Sequence, residues 1–232
     1  MKIHFLIESE QESAEREANL KCELFRGISE PIHTLEMVRL PIRTDRRPRD
    51  STYLNQLLFN AAFEMVHGIK DVRTRSMFCL GDFDYAQSYS QPDDSGNMPV
   101  LSVYPLNSSK CAFNEHLNDS IEFIQQIGAE FSSGIETIFD QSERKNNALA
   151  ALQELHTGSV TNCLEQFNGF INTIKKLCEP RQISDVDELV TSLKQALSDY
   201  QIVPGSRAHE LNGIVEVMVF DAAYYYAKTA EE

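Results

Sequence analysis

Ile214-Val215-Glu216-Val217-Met218-Val219-Phe220 is the stretch whose reading decides the fold. Its run of Val, Ile and Phe reads as a strand. It follows a segment of different character. From about residue 116 to residue 200, apolar residues recur at three- and four-residue steps: Ile121, Ile124 and Ile127, then Leu149 and Leu152, then Cys163, Phe167, Phe170, Ile171 and Ile174. That is helical spacing. The chain therefore reads β-rich, then helical, then β-rich again. The expectation is an α+β domain whose last strands return after a helical insertion, with a core over 1–114 and 201–232 and an insertion over 115–200.

Working back from that strand, Val100–Tyr104, 76–80, 32–40 and 23–26 read as extended segments, and 3–7 as a weak strand. Residues 10–20 are polar with good helix propensity and read as a solvated helix. Leu54, Leu57, Leu58, Ala61, Ala62 and Met65 predict a helix, with Asp50 or Ser51 as its cap and Gly68 as its stop. Asp82 caps a short helix through Tyr89. Gln91–Asn97 is a loop by composition. Ser184 with Asp187 and Glu188 resembles a capping box.

Lys and Arg number 21 and Asp and Glu 35 among 232 residues, a formal charge of −14. This balance works against general nucleic-acid coating, which depends on neutralising phosphates, and against docking on an anionic membrane. No stretch approaches the ~18 uninterrupted apolar residues of a membrane span. The five cysteines show no C-x-x-C pair and read as reduced thiols. The expectation is a soluble cytoplasmic protein. The six histidines show no metal spacing, and neither a Walker loop, a G-x-G-x-x-G turn nor a G-x-S-x-G elbow is present.

Against the acidic background, Arg39, Arg43, Arg46, Arg47 and Arg49 crowd into eleven positions. Guanidinium forks suit phosphate oxygens, so the run reads either as a phosphate site or as a solvated loop paired with acidic surface. Glu216 shares its strand face with Met218 and Phe220, while Val215, Val217 and Val219 take the other. Neither face is polar. The carboxylate therefore sits at a cleft, pairs with a cation, carries a raised pKa, or reaches water at a strand end. Arg26, with Cys22 and Leu24 as face-mates, closes an apolar strand before Gly27. Ser76 opens another.

These pieces together resemble the Arg-Ser-Glu class of ADP-ribosyltransferases. Leu24-Phe25-Arg26-Gly27 resembles the aromatic-Arg-Gly first strand. Arg75-Ser76-Met77-Phe78, then Gly81-Asp82 and Ala86-Gln87-Ser88-Tyr89, resembles the second motif. Val215–Val219 resembles the late strand bearing a catalytic glutamate. Arg46-Arg47-Pro48-Arg49-Asp50-Ser51, the Arg-Ser-x-x-Phe strand and Glu216-Val217-Met218 with Tyr224-Tyr225 are similar to segments of ADP-ribosyltransferase-like bacteriophage proteins. The resemblance spans roughly 22–105 and 205–227.

It implies an ADP-ribosyltransferase-like split β core, with NAD as co-substrate and a macromolecular acceptor, a host protein if the chain is phage-encoded. Glu216, Arg26 and Ser76 would form the catalytic set. Glu216 would stabilise the cation that develops on the ribose as nicotinamide leaves. Arg26 would hold NAD through phosphate or ribose. Ser76 would bind the ribose or fix Glu216. Phe83, Tyr85 and Tyr89 are candidates to stack on nicotinamide, and Arg75, Arg46 and Arg49 complete the candidate NAD contacts. Arginine-modifying members carry an acid or amide two positions before the glutamate. Ile214 stands there in this chain, which turns the expectation away from a protein arginine as acceptor. The alternatives are NAD hydrolysis and a catalytically inactive acidic binding protein that inhibits a host or defence protein.

Overall fold

Val100-Leu101-Ser102-Val103-Tyr104 is buried at every position, and a strand enclosed on both faces belongs inside a sheet rather than at its edge. In the computed structural model, which describes residues 16–28, 36–44, 51–90, 99–117, 120–157 and 159–230, this strand, β4, runs between β1 (Leu24–Gly27) and β8 (Tyr224–Thr229). Strand β2 (Val38–Pro41) lies outside β8, giving the order β1-β4-β8-β2. A second sheet has the order β3 (Met77–Cys79), β7 (Val217–Phe220), β5 (Lys110–Phe113) and β6 (Gln201–Pro204). The pairings within both sheets are antiparallel.

Register decides which side chains meet. Leu24 opposes Val103, and Val103 opposes Ala227, so Leu24, Arg26, Leu101, Val103, Tyr225 and Ala227 share one face of the first sheet. In the second sheet Met77, Cys79, Cys111, Phe113, Val217 and Val219 share a face. The apolar members of these two sets pack into one core, joined by Ala208 and Leu211 of a 3-10 helix (Gly205–Leu211). The sheets are stitched at one corner. Phe25 N donates to Leu80 O at 2.7 Å and Leu80 N to Phe25 O at 2.8 Å, which ties β1 to the chain leaving β3.

Several sequence expectations shift here. The fold is α+β, as read. The polar run 10–20 is not one solvated helix. Residues 10–15 lie outside the described residues, Ala18 bridges Leu106, and the buried Asn19 donates its Nδ2 to Gly205 O at 3.0 Å and to Ser206 O at 3.1 Å. The extended readings of 3–7 and 32–35, and the loop at 91–97, also lie outside the described residues. Strands β5 and β6 were not legible, being four residues each with weak alternation.

The chain divides into two compact units. The β unit takes 1–43, 76–118 and 200–232, and the helical unit takes 44–75 and 119–199. The expected boundary at 115–200 therefore misses a segment: helix α1 (Tyr53–His67) clusters with the helical block. Its positions Leu54 to Phe63 are buried without interruption, so this is an enclosed helix rather than one with a single apolar stripe. Thr52, not Asp50 or Ser51, is its cap, accepting from Asn55 N at 3.2 Å. Gly68 ends it at φ 70° as anticipated.

Besides α1 and the short α2 (Phe83–Ser88) of the β unit, the described residues hold α3 (Ser120–Ile138), α4 (Lys145–His156), α5 (Cys163–Leu177) and α6 (Pro180–Ala196). Helix α6 begins before the box read at Ser184. Pro180 stands at its first position, and Glu179 and Gln182 form the reciprocal cap. A buried polar cluster ties the 71–74 turn to α1 and α5. Thr74 Oγ1 accepts from Gln56 and Asn60 at 3.0 Å each and donates to Val160 O at 2.6 Å. The Asp71 carboxylate accepts from Asn162 N at 2.8 Å and Cys163 N at 2.9 Å, capping α5.

Candidate functional site

Arg26 is half-buried on β1 and shares the inner face of its sheet with Tyr225. The Arg26 charge lies close enough to the Tyr225 side chain to act on it. Burial pushes the Tyr225 phenol pKa up, and the nearby Arg26 charge holds it back. Cys79 lies close enough to add a smaller upward push. Of three consecutive tyrosines only the middle one joins this core; Tyr224 and Tyr226 alternate to the other face, where Tyr226 is buried with Ala18, Tyr104 and Leu106.

Glu216 immediately precedes β7 and is half-buried. Cys79 pairs with Val217, and Gly81 N donates to Ile214 O at 2.8 Å, so Glu216 falls beside Leu80. Leu80 is bonded to Phe25 on its other side. Phe25 and Glu216 thus flank Leu80 across two strand spacings, about 10 Å at ~4.8 Å each. Phe83 packs edge-on against Phe25, ring centroids 5.6 Å apart at 88°. Asp82 Oδ1 accepts from Tyr85 N at 2.8 Å, the expected cap of α2. This corner of the β unit sets Phe25, Leu80 and Glu216 in one row, with Phe83 against Phe25, whereas Arg26, next to Phe25 on β1, alternates to the inner face and is not brought to Glu216.

The path there depends on Gly81. A Cβ at that position would meet Leu211 O at 2.1 Å and Gly213 N at 2.8 Å. The close approach sets the backbone that leads into Glu216.

Ser76 does not join this corner. It is 2% exposed and immediately precedes β3, whose Met77 opposes Val219. Antiparallel pairing sends it to the far end of the β3–β7 ladder, four residues from Leu80, or about 13 Å at ~3.3 Å per residue. The side chain that stands beside Glu216 in the ladder is Leu80, not a hydroxyl. Arg75 is exposed. Tyr85 and Tyr89 pair with each other at 5.7 Å, and Tyr89 is 47% exposed. Arg46, Arg47 and Arg49 lie outside the described residues.

Arg39 has a partner that the sequence reading missed. Its guanidinium stacks on the Tyr224 ring at 3.4 Å. Tyr224 OH donates to Glu17 Oε2 at 2.6 Å. That hydrogen bond is the main cause of a raised phenol pKa at Tyr224. Extended alternation around two tyrosines was the available signal, since Arg39 and Tyr224 share a face of neighbouring strands.

Burial raises the thiols of Cys22, to about 12, and of Cys111, which also lies near Cys22 and Cys79. Thiols held protonated are poor nucleophiles. Among the described residues no three of His, Cys, Asp or Glu group to hold a metal ion, and no helix is long and apolar enough to cross a membrane. Compared with family models, curated proteins and solved structures, the chain finds no match.

Proposed function

We propose that the chain is an NAD-dependent ADP-ribosyltransferase, breaking the nicotinamide–ribose bond and passing ADP-ribose to a macromolecular acceptor. The observation that supports this reading is the row Phe25–Leu80–Glu216, which places Glu216 on the same face as the Phe25 ring on which Phe83 packs. Arg26 turns to the inner face of β1, so this version of the site rests on Glu216 and Phe83. As the glycosidic bond breaks, its electron pair leaves with nicotinamide and positive charge grows on the ribose. A carboxylate at that carbon stabilises the transition state more than the ground state. Glu216 takes that role. Phe83 offers a ring edge at the same corner. Ser76, at the other end of the ladder, has no part in this version of the site.

The test is nicotinamide release on incubation of the full chain with NAD. Glu216→Gln lowers the rate by about 10²–10³-fold while leaving the melting temperature close to wild type. Release that is unchanged in Glu216→Gln removes the assignment. Water as acceptor gives free ADP-ribose and the hydrolase reading.

A second reading has its own support. Arg26 faces the inner side of β1 with the buried Tyr225, away from Glu216, and Ser76 stands at the other end of the ladder from Glu216. Together with the −14 charge, this favours an acidic binding protein on a related scaffold. No nicotinamide release and no NAD binding by calorimetry would decide for it.

A further inference from the structure

We infer that the hollow between the end of α1 and the outer face of α5 binds a small organic cation carrying primary ammonium groups, an aliphatic diamine being the simplest. The hollow has a volume of about 450 Å³, and Glu64, Lys70, Glu165, Asn168, Gly169 and Asn172 are among the residues that line it. All six belong to the helical unit, so the site holds whether or not the chain cleaves NAD. Two observations point to a ligand there. The first is Glu64. Its side chain lines the hollow, yet Oε2 is closed to solvent and accepts no hydrogen bond among the described residues. A shielded carboxylate oxygen left without a donor is costly. Burial and the nearby Asp71 push the Glu64 pKa up, and Lys70 offsets them only in part. An ammonium lodged beside this carboxylate supplies both donors and the missing counter-charge.

The second observation is Gly169. It lies inside α5, where glycine is a poor helix former. Packing does not require it, because a Cβ there would meet no atom within 4 Å. The glycines of α3 differ: a Cβ at Gly128 would strike Asn55, and one at Gly134 would strike Leu189. The missing side chain at Gly169 instead leaves floor space in the hollow. Glu165, Asn168 and Asn172 surround it at three- and four-residue steps along one exposed face of α5. Their carboxylate and amide oxygens are acceptors for ammonium N–H groups. Glu64 and Glu165 set two negative charges against the positive charge of Lys70, so the lining favours a cation over an anion. A diamine can place one ammonium at each carboxylate, with its methylenes over Gly169.

The experiment is isothermal titration of 1,4-diaminobutane into the full chain at about 0.15 M salt, which screens the general acidity of the surface. One diamine per chain is expected to bind, saturating below about 1 mM. Gly169→Leu fills the floor of the hollow and is expected to weaken binding about tenfold or more. Its melting temperature stays at or above wild type, because leucine is the better helix former. Glu64→Gln is expected to weaken binding by a similar factor. Glu154→Gln, exposed on α4 and outside the hollow, leaves it unchanged. Absence of saturable binding by wild type overturns the inference. Binding that survives both Gly169→Leu and Glu64→Gln overturns it too, as does a loss in Glu154→Gln equal to that in Glu64→Gln, since either marks diffuse surface charge. Inorganic phosphate that binds wild type but not Gly169→Leu overturns it by making Lys70 the recognising group. Thermal melting accompanies each variant, and Gly169→Leu alone decides if Glu64→Gln does not fold.

Discussion

Ser76 and Glu216 stand at opposite ends of one antiparallel ladder, Ser76 just ahead of the Met77–Val219 pair and Glu216 just ahead of the Cys79–Val217 pair in their own strands. Both are one residue outside a strand, and antiparallel geometry turns that symmetry into separation. On the transferase reading, Ser76→Ala is therefore expected to leave nicotinamide release within about twofold of wild type, whereas Glu216→Gln lowers it about 10²–10³-fold. Because Ser76 is buried and engaged, the alanine variant loses about 1 kcal/mol of stability in urea unfolding. A Ser76→Ala variant that folds normally but releases nicotinamide as slowly as Glu216→Gln would restore the serine to the proposed site.

Asp71 holds the start of α5. Its two oxygens accept from Asn162 N and Cys163 N, and it is 3% exposed. Asp71→Ala leaves both N–H groups without that acceptor and is expected to cost about 1–3 kcal/mol. Asp71→Asn, which keeps one acceptor oxygen, loses less. Urea unfolding of the two variants gives this order, and equal stability of all three proteins would contradict it.

Gly81 is fixed by space. Its α-carbon faces Leu211 O and Gly213 N too closely for any side chain. Gly81→Ala forces the backbone before Glu216 to move and is expected to cost about 1–3 kcal/mol. On the transferase reading it also slows nicotinamide release, because Glu216 shifts with that backbone. Thermal melting and release on the same sample separate the two effects.

Buried thiols set an alkaline limit. Burial pushes Cys22 and Cys163 up to about 12 in the folded chain, against about 8.5 when unfolded. The folded state holds these protons more tightly. Their contribution is complete below pH ~8.5 and is lost as pH rises from there toward 12, at ~1.4 kcal/mol per pH unit for each thiol. Stability measured from pH 7 to 10 should fall, and Cys22→Ala should flatten the slope. A wild-type curve flat to pH 10 counts against neutral, buried thiols. With a thiol reagent on the native chain, Cys178, which is less buried than the other four, is expected to react first.

Much of the framework was legible in residue types. Gly68 marked a helix end because only a left-handed turn follows the last apolar residue, and Asp82 marked a helix start because its carboxylate has orphan amides to cap. Strands β1, β4 and β7 were readable from dense apolar runs. Register was not readable, and register decides the site. Nothing local to Ser76 says that it leads its strand away from Glu216. Tyr225 was visible only as one of three tyrosines, since its place on the inner face depends on how β8 pairs with β4. Pro180 opened α6 four residues ahead of the polar cluster at Ser184 because proline is well suited to the first helical turn. The periodicity of α1 identified a helix without showing which partners enclose it.

The helical unit is assembled from two separate lengths of chain, 44–75 and 119–199. Excising 119–199 as though it were a single cassette would remove α3, α4, α5 and α6 together and leave α1 behind, with the ten consecutive positions from Leu54 to Phe63 stripped of those neighbours. Such a truncation would clump through its naked helix, so its inactivity would say nothing about catalysis. A shortened version that stays in solution has to lose both lengths at once, with new joints made at residues 43–76 and 118–200.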